Sequence, residues 1–182
     1  MGHESFVYGL IVGSYRNPTD AAHNHAVVAQ LPLDDASPFV GRSLFARPGR
    51  TTVNDTYRTE VIHFGASYSA VEWEWPIWLT KFEAVLAQLV WHEVWVHLRT
   101  DLVGDYTYHY QPEPRGERPW LHDPRDPGPQ WRLTGGPRDF CLGTPTPIPP
   151  WQATDYWRLA AGIWTLHPQP PLAAQATDSP AP

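Results

Sequence analysis

The alternation of apolar and polar side chains predicts most of the strands in the first two thirds of this chain. Residues 5–13 are apolar at nearly every position, so both faces of the segment are apolar, which is typical of a central strand. Residues 56–67 and 93–99 alternate with a period of two, and residues 105–110 return after a turn as the second strand of an antiparallel hairpin. Residues 39–46, which run up to a Pro-Gly pair, are predicted to form a further strand.

Two segments carry the signs of an α-helix. Residues 21–31 follow an Asn-Pro-Thr-Asp turn and stop at a proline, as expected of a short helix. The stronger helix begins near Pro76, because proline suits the first helical turn. The apolar side chains that recur there at helical spacing are Trp78, Phe82, Val85, Leu86 and Leu89. The predicted polar face carries Thr80, Lys81, Ala84 and Gln88.

The order of these elements predicts an α+β fold. Strand, helix, strand, strand, helix, strand, strand is typical of a ferredoxin-like arrangement, or of a related mixed or antiparallel sheet with its helices on one face. The domain is predicted to span residues 1–143, with a proline-rich irregular segment from residue 112. Residues 144–182 are predicted to be a proline-rich tail with a short helix at 154–166. The side chains expected to pin the irregular segment to the body are Trp120, Trp131, Leu133 and Phe140.

Composition narrows the classes of function. The 182 residues suffice for one hydrophobic core, and the single cysteine excludes an internal disulfide and a four-cysteine zinc site. A net charge of −6 argues against a nucleic-acid-binding protein. No stretch has the length of a membrane span and the first residues lack a signal-peptide pattern, so the sequence predicts a cytoplasmic protein. Ten tryptophans and eight tyrosines indicate a large aromatic core, an aromatic binding surface, or both.

Local motifs for catalysis or cofactor binding do not occur in the sequence. It has no glycine-rich nucleotide loop, no Gly-x-Ser-x-Gly and no His-Glu-x-x-His. His23 and His25 are predicted to be solvated, since their spacing on a helix points them apart. Cys141 lies in an apolar Phe-Cys-Leu setting and is predicted to be a small packed side chain. The sequence therefore predicts no catalytic residue, no metal and no cofactor.

Two features leave alternatives open. The Gly-Gly-Pro-Arg stretch at 135–138 is predicted to be a sharp turn after a short strand at 131–134, and the alternative is an anion-binding nest. A small hydrolase or metal-dependent enzyme is an alternative function. The residues best suited to it are His63, Glu93, His97 and His109. A scaffold or assembly protein that forms a homo-oligomer is a further alternative.

The second face of the predicted sheet is the candidate binding surface. On the predicted alternation, Trp95 and His97 point away from the helices. Tyr106, Tyr108 and Tyr110 share one face of the next strand, which is either this outer face or the core. The outer face is either covered by the proline-rich part of the chain or left open as a protein interface with an acidic rim. The side chains predicted to bind a partner there are Glu72, Trp73, Glu74, Trp95, Asp101 and Asp105.

Five short stretches between residues 4 and 140 carry a pattern found in a known class of proteins. They are Glu-Ser-Phe-Val-Tyr-Gly-Leu-Ile at 4–11, Val-Ile-His-Phe-Gly-Ala-Ser at 61–67, Trp-Leu-Thr-Lys-Phe-Glu at 78–83, Trp-x-x-Val-x-Val-His-Leu-x-Thr at 91–100 and Thr-Gly-Gly-Pro-Arg at 134–138. Together they resemble bacterial effector-immunity proteins of interbacterial toxin systems, in particular those paired with restriction-endonuclease-like DNase toxins delivered by type VI secretion.

The resemblance implies a function by occlusion. An immunity protein of this class binds its cognate toxin in the cytoplasm and blocks the toxin's active site or substrate cleft. An acidic inhibitor complements a basic, nuclease-like toxin in charge, which speeds their association. The resemblance implies no catalytic residue, cofactor, membrane contact or direct contact with nucleic acid.

Overall fold

The computed structural model describes residues 4–15, 17–33, 36–46, 59–114, 118–126 and 131–142. Their helices and strands follow the order β1 (Glu4–Tyr15), α1 (Pro18–Gln30), β2 (Thr59–Ser69), α2 (Trp75–Leu86), β3 (Glu93–Thr100), β4 (Gly104–Pro112) and β5 (Trp131–Thr134). Two short 3₁₀ turns lie at Arg42–Leu44 and Val71–Glu74. Among these residues, no helix is long and apolar enough to cross a membrane.

The strands form one antiparallel sheet in the order β2-β1-β3-β4-β5. Both helices lie on the same face of it. Glu60 and Phe64 project from that face of β2; Glu60 accepts a hydrogen bond from Asn24 of α1, and the Phe64 ring lies 4.9 Å from the ring of Phe82 in α2. The predicted α+β class is therefore confirmed. Of the mixed and antiparallel sheets that the sequence allowed, the described strands form the antiparallel one.

Aromatic side chains fill the core between α2 and the sheet. Trp75 stacks on Trp78 with ring centroids 4.9 Å apart, and Trp78 stacks on Phe82 at 4.8 Å. These rings pack towards Tyr108 and Tyr110 of β4, and all five side chains are fully buried. The tyrosines of β4 therefore belong to the core, which decides between the two alternatives that the sequence left open.

Two predictions for the segment before β2 and for α2 are wrong. Residues 39–46 form no strand, because the turn Arg42–Leu44 interrupts them and only Phe45 makes an isolated bridge to β2. Lys81 is 3% exposed instead of lying on a polar face. Its Nζ donates to the carbonyl oxygens of Ala36 and Pro38, which compensates the charge for its burial.

The proline-rich segment is pinned by three of the four predicted side chains. Trp131, Leu133 and Phe140 pack against the core. Trp120 does not, since it is 61% exposed. The predicted tail at 144–182, with its helix at 154–166, lies outside the described residues.

The turn after β5 forms as predicted. Gly135 has a φ of +104°, which only glycine adopts without strain. The guanidinium of Arg138 lies 2.7 Å from both carboxylate oxygens of Glu83 in α2, so its charge is already neutralised. The expectation that Cys141 is packed is wrong, because its side chain is exposed.

Candidate functional site

The face of the sheet opposite the helices, here called the outer face, carries exposed large apolar side chains on β1 and β2. Along β1 the side chains alternate, so that Val7 and Ile11 are fully buried while Phe6 and Tyr8 point outward. Phe6 and Tyr8 are 41% and 49% exposed, and Val61 of the neighbouring β2 is 41% exposed. Large apolar groups grouped on one exposed surface are typical of a binding site.

Two pairs of stacked rings stiffen the outer face. Tyr8 of β1 stacks on His97 of β3, its cross-strand partner, with ring centroids 5.0 Å apart. Trp95 of β3 stacks on His109 of β4, again its direct partner, with centroids 3.8 Å apart and planes within 8°. Cross-strand stacking holds each ring in one orientation, so the outer face presents aromatic groups that are already ordered.

The histidines of the outer face are engaged in different contacts. His97 Nδ1 lies 2.9 Å from Oγ1 of Thr107, whereas His109 Nε2 lies 3.3 Å from Oε2 of Glu93. His63 is exposed on β2, opposite Leu10. Within the part of the chain that the structure describes, no three His, Cys, Asp or Glu residues are placed to hold a metal ion. Among the four residues named for the alternative enzyme function, His109 and Glu93 are in contact with each other.

Three of the predicted binding residues lie on or beside the outer face. Trp95 is half-buried in its middle, as the alternation of β3 predicted. Asp101 and Asp105 are exposed at the turn between β3 and β4, and Asp105 lies opposite Arg99 in the ladder. The two aspartates therefore mark the end of the sheet at which β1 begins.

The other three predicted residues lie in the turn Val71–Glu74. Trp73 is 55% exposed, whereas Glu72 is 1% exposed and accepts a hydrogen bond from Oγ of Ser5 on the buried side of β1. The expectation that Glu72 lies on the surface is wrong, because the 3₁₀ turn rotates it inward. Glu74 is half-buried and accepts a hydrogen bond of 3.1 Å from Ser37. Trp73 is thus the strongest remaining candidate at this end.

The outer face continues at its opposite end, beside Val12, into an open groove. The groove has a volume of about 620 Å³. Its floor is formed by the ends of β3, β4 and β5, and its walls by proline-rich loop segments. The lining residues are His92, Glu93, Gln111, Pro112, Glu113, Pro114, Pro119, Trp120 and Arg132.

Trp120 is exposed on a loop whose backbone is held in place. The neighbouring Leu121 and His122 are buried. His122 exchanges two backbone hydrogen bonds with Trp91, of 2.8 and 3.1 Å, and the Leu121 amide donates to the carbonyl of Arg118 at 2.9 Å. An exposed tryptophan on an ordered loop loses little conformational freedom when it is covered. The prediction that Trp120 pins the irregular segment to the body is therefore wrong.

Searches against protein-family models, curated proteins and solved structures found no match for this chain. The resemblance to immunity proteins therefore stays a prediction.

A charged network fixes the Trp120 loop to α1. Asp20 of α1 is 2% exposed, and Arg118, 98 residues further along the chain, donates to it at 2.8 Å. Arg118 also contacts Asp123, and Nε of Arg125 donates to Asp123 at 2.6 Å. Burial by itself would raise the pKa of Asp123, but the hydrogen bonds from Arg125 and Arg118 lower it to about 2. Asp123 therefore remains ionised under ordinary conditions, and its contacts with the two arginines position the wall of the groove.

Glu60 is the second buried acid beneath α1. Burial raises its pKa to about 7, against the lowering effect of the Asn24 hydrogen bond, and the nearby Asp20 raises it further. Nε2 of His25 lies 3.1 Å from Glu60 Oε1, close enough for an ion pair although the angles do not make a hydrogen bond. His25, expected to be solvated, is therefore half-buried beside an acid, while His23 is exposed with Nε2 2.9 Å from the Gln88 carbonyl.

Glu60 is expected to make the protein less stable as the pH rises towards neutrality. The pKa of Glu60 is about 7 in the folded chain, above the ordinary value of 4.5 for a glutamate, so the folded state binds the proton more tightly than the unfolded state. The contribution of Glu60 to the free energy of unfolding is constant below its pKa in the unfolded chain. It decreases as the pH rises from that value to its pKa in the folded chain. Because solvent screens this charge, we expect the free energy of unfolding to fall by about 2 kcal/mol, which is less than the full pKa difference would give.

The Glu60→Gln variant provides the baseline for this measurement. Urea unfolding at about pH 4.5 and about pH 7.5 gives the pH dependence of each protein, and the difference between them isolates Glu60 from His122. Burial lowers the pKa of His122, so that residue acts with the opposite sign at acidic pH. Equal pH profiles for the two proteins would show that Glu60 titrates normally.

Proposed function

We propose that this protein is an immunity protein that binds a cognate bacterial toxin through its outer face and neutralises it. The observation that supports this most directly is the exposure of Phe6 and Tyr8, at 41% and 49%, on a strand that is paired on both sides. Aromatic side chains on a rigid element are the usual hot spots of protein interfaces. Their exposure is unfavourable in water and is relieved when a partner covers them.

The proposed mechanism is occlusion of the toxin's active site or substrate cleft. β1 is flanked by β2 and β3 along most of its length, so Phe6 and Tyr8 stand on the best supported strand of the sheet. A preorganised surface of this kind binds without a large loss of conformational entropy. The mechanism uses no catalytic residue, metal or cofactor. The protein is proposed to act in the cytoplasm of the cell that makes the toxin.

A basic, nuclease-like toxin is the proposed partner. The chain has a net charge of −6, and a nuclease must present positive potential to its substrate. Complementary charge steers the two proteins together and raises the association rate. The rate of complex formation should therefore fall as salt is added, while a partner of neutral charge would show little dependence.

The affinity for the toxin encoded by the neighbouring gene tests this proposal. We expect the double variant Phe6→Ala/Tyr8→Ala to bind that toxin about 100-fold more weakly than the unmodified chain, because it removes two adjacent hot spots. Isothermal titration calorimetry measures the affinity, and survival of cells that express the toxin measures protection. Phe39→Ala is the matched control, since Phe39 is 54% exposed but is held at the helix side of β2, where its carbonyl accepts from Tyr68.

Three outcomes would contradict the proposal. The first is that the unmodified chain neither binds nor neutralises the toxin. The second is that the chain binds a labelled single-stranded oligonucleotide through the same rings, since stacked aromatic groups on a sheet can also hold bases. The third is that the purified chain forms a stable homo-oligomer whose interface buries Tyr8, which would favour an assembly protein instead.

A further inference from the structure

The floor of the groove is a row of polar side chains that crosses three strands. Glu93 begins β3, Gln111 is the last but one residue of β4, and Arg132 lies directly opposite Gln111 on β5. Glu93 is oriented by His109, whose Nε2 lies 3.3 Å from its carboxylate. The side chain of Glu93 remains 33% exposed. The floor therefore offers an oriented carboxylate at the point where the outer face meets the groove.

The wall of the groove adds an aromatic ring and a second acid. Trp120 is 61% exposed, and Glu113 is an exposed residue between two prolines that also line the groove. Glu93 keeps part of its carboxylate exposed on the floor, so this end of the groove can pair with a cation. An indole and a carboxylate that line the same groove suit a guanidinium group, which stacks on aromatic rings and donates paired hydrogen bonds to carboxylates.

We infer that the groove binds an arginine side chain of the toxin, with the indole of Trp120 against the guanidinium and Glu93 as its carboxylate partner. The inference rests on the proposed function, because the groove continues the surface to which the toxin is proposed to bind. On this inference Trp120 is the main tryptophan contact, or anchor, for the toxin. The sequence had predicted Trp73 for that part of the interface. Trp73 is exposed to a similar degree at the other end of the sheet but does not line the groove.

A small probe tests the groove without the toxin. The chain is labelled with ¹⁵N, and N-acetyl-arginine methylamide is titrated while the indole N–H signals are followed by NMR. We expect the Trp120 signal to shift and the Trp73 signal to stay in place. N-acetyl-citrulline methylamide has nearly the same shape without the charge, and we expect it to produce a shift at least about 5-fold smaller at equal concentration.

Two variants identify the groups responsible. Glu93→Gln keeps the shape of the side chain and removes its charge, and it should weaken the arginine-induced shift about 10-fold. Trp120→Ala should abolish saturable binding of the probe. Because this variant lacks the indole signal, the backbone amide signal of Gln111 is used to detect binding. An arginine response that citrulline reproduces, or that survives both substitutions, would overturn the inference.

The complex with the toxin separates this inference from the function on which it rests. We expect Trp120→Ala to weaken toxin binding about 30-fold and Trp73→Ala to weaken it less than about 2-fold. If the unmodified chain binds the toxin and Trp120→Ala binds equally well, the anchor is wrong while the proposed function stands. If the unmodified chain does not bind the toxin, the proposed function fails. The groove then has no toxin arginine to bind, whatever the small probe shows.

Discussion

Replacing Asn24 with alanine is expected to lower the free energy of unfolding by about 4 kcal/mol. Asn24 is fully buried in α1, and its amide joins three parts of the fold. Nδ2 donates to Glu60 of β2 at 2.9 Å and to the carbonyl of Val90 at 2.8 Å, while Oδ1 accepts from the Val90 amide at 2.8 Å. Alanine would leave these buried groups without partners, and each such group costs about 1–3 kcal/mol.

Asn17 is the matched control for this prediction. It caps the beginning of the same helix, where its side-chain oxygen accepts from the amides of Thr19 and Asp20. Asn17→Ala should cost about 1 kcal/mol, as is usual for an N-cap close to solvent. Urea unfolding followed by circular dichroism gives both values. Similar losses for the two variants would mean that Asn24 does not connect α1 to β2 and the loop before β3.

Replacing Gly9 with alanine is expected to lower the free energy of unfolding by about 3 kcal/mol. An added Cβ at Gly9 would overlap the backbone carbonyl oxygen of Trp95 and approach Cζ of Phe64 to 2.6 Å. A backbone atom in the central ladder cannot move aside without separating β1 from β3. The same separation would pull Tyr8 away from His97, so we expect the variant to lose toxin affinity as well.

Gly65 offers the control, because it lies on the neighbouring strand and points to the outer face. The nearest atom to an added Cβ there is Cβ of Tyr8, at 3.3 Å. Gly65→Ala should therefore change the free energy of unfolding by less than about 1 kcal/mol. Thermal unfolding of both variants checks the contrast. An equal effect at the two positions would contradict the close approach of β1 and β3.

The position of the outer face is expected to link the stability of this protein to the proposed binding. Its aromatic residues stand on β1 and β3, which are the central strands of the sheet and are directly backed by the aromatic core. A substitution that disturbs this core therefore also disturbs the surface. The groove beside Trp120 depends instead on the network of Asp20, Arg118 and Asp123, so loss of one of these charges should affect the groove more than the stacked rings.

The sequence predicted the elements whose signals are local. The hairpin of β3 and β4 and the helix α2 were predicted at nearly the positions observed, because alternation and helical spacing involve only near neighbours in the chain. The same alternation placed Trp95 on the outer face correctly. The strand predicted at 39–46 failed, since the turn Arg42–Leu44 interrupts it and only Phe45 makes an isolated bridge to β2.

The parts of the candidate site that could not be predicted depend on contacts between distant residues. Glu72 is turned inward by a 3₁₀ turn, and Trp120 is left exposed because its neighbours Leu121 and His122 take the buried positions. The salt bridge between Arg118 and Asp20 spans 98 residues. No pattern within a short window of sequence carries this information.

The sequence by itself determined the α+β class, the two-sided alternation of the central strands and the abundance of aromatic side chains, because each follows from local composition and period. Only the tertiary structure decided which rings are buried and which remain exposed. Tyr108 and Tyr110 face α2, whereas Phe6 and Tyr8 face away from it. The physical reason is that a strand presents two equivalent faces until helices cover one of them, and that choice is made by packing across the whole chain.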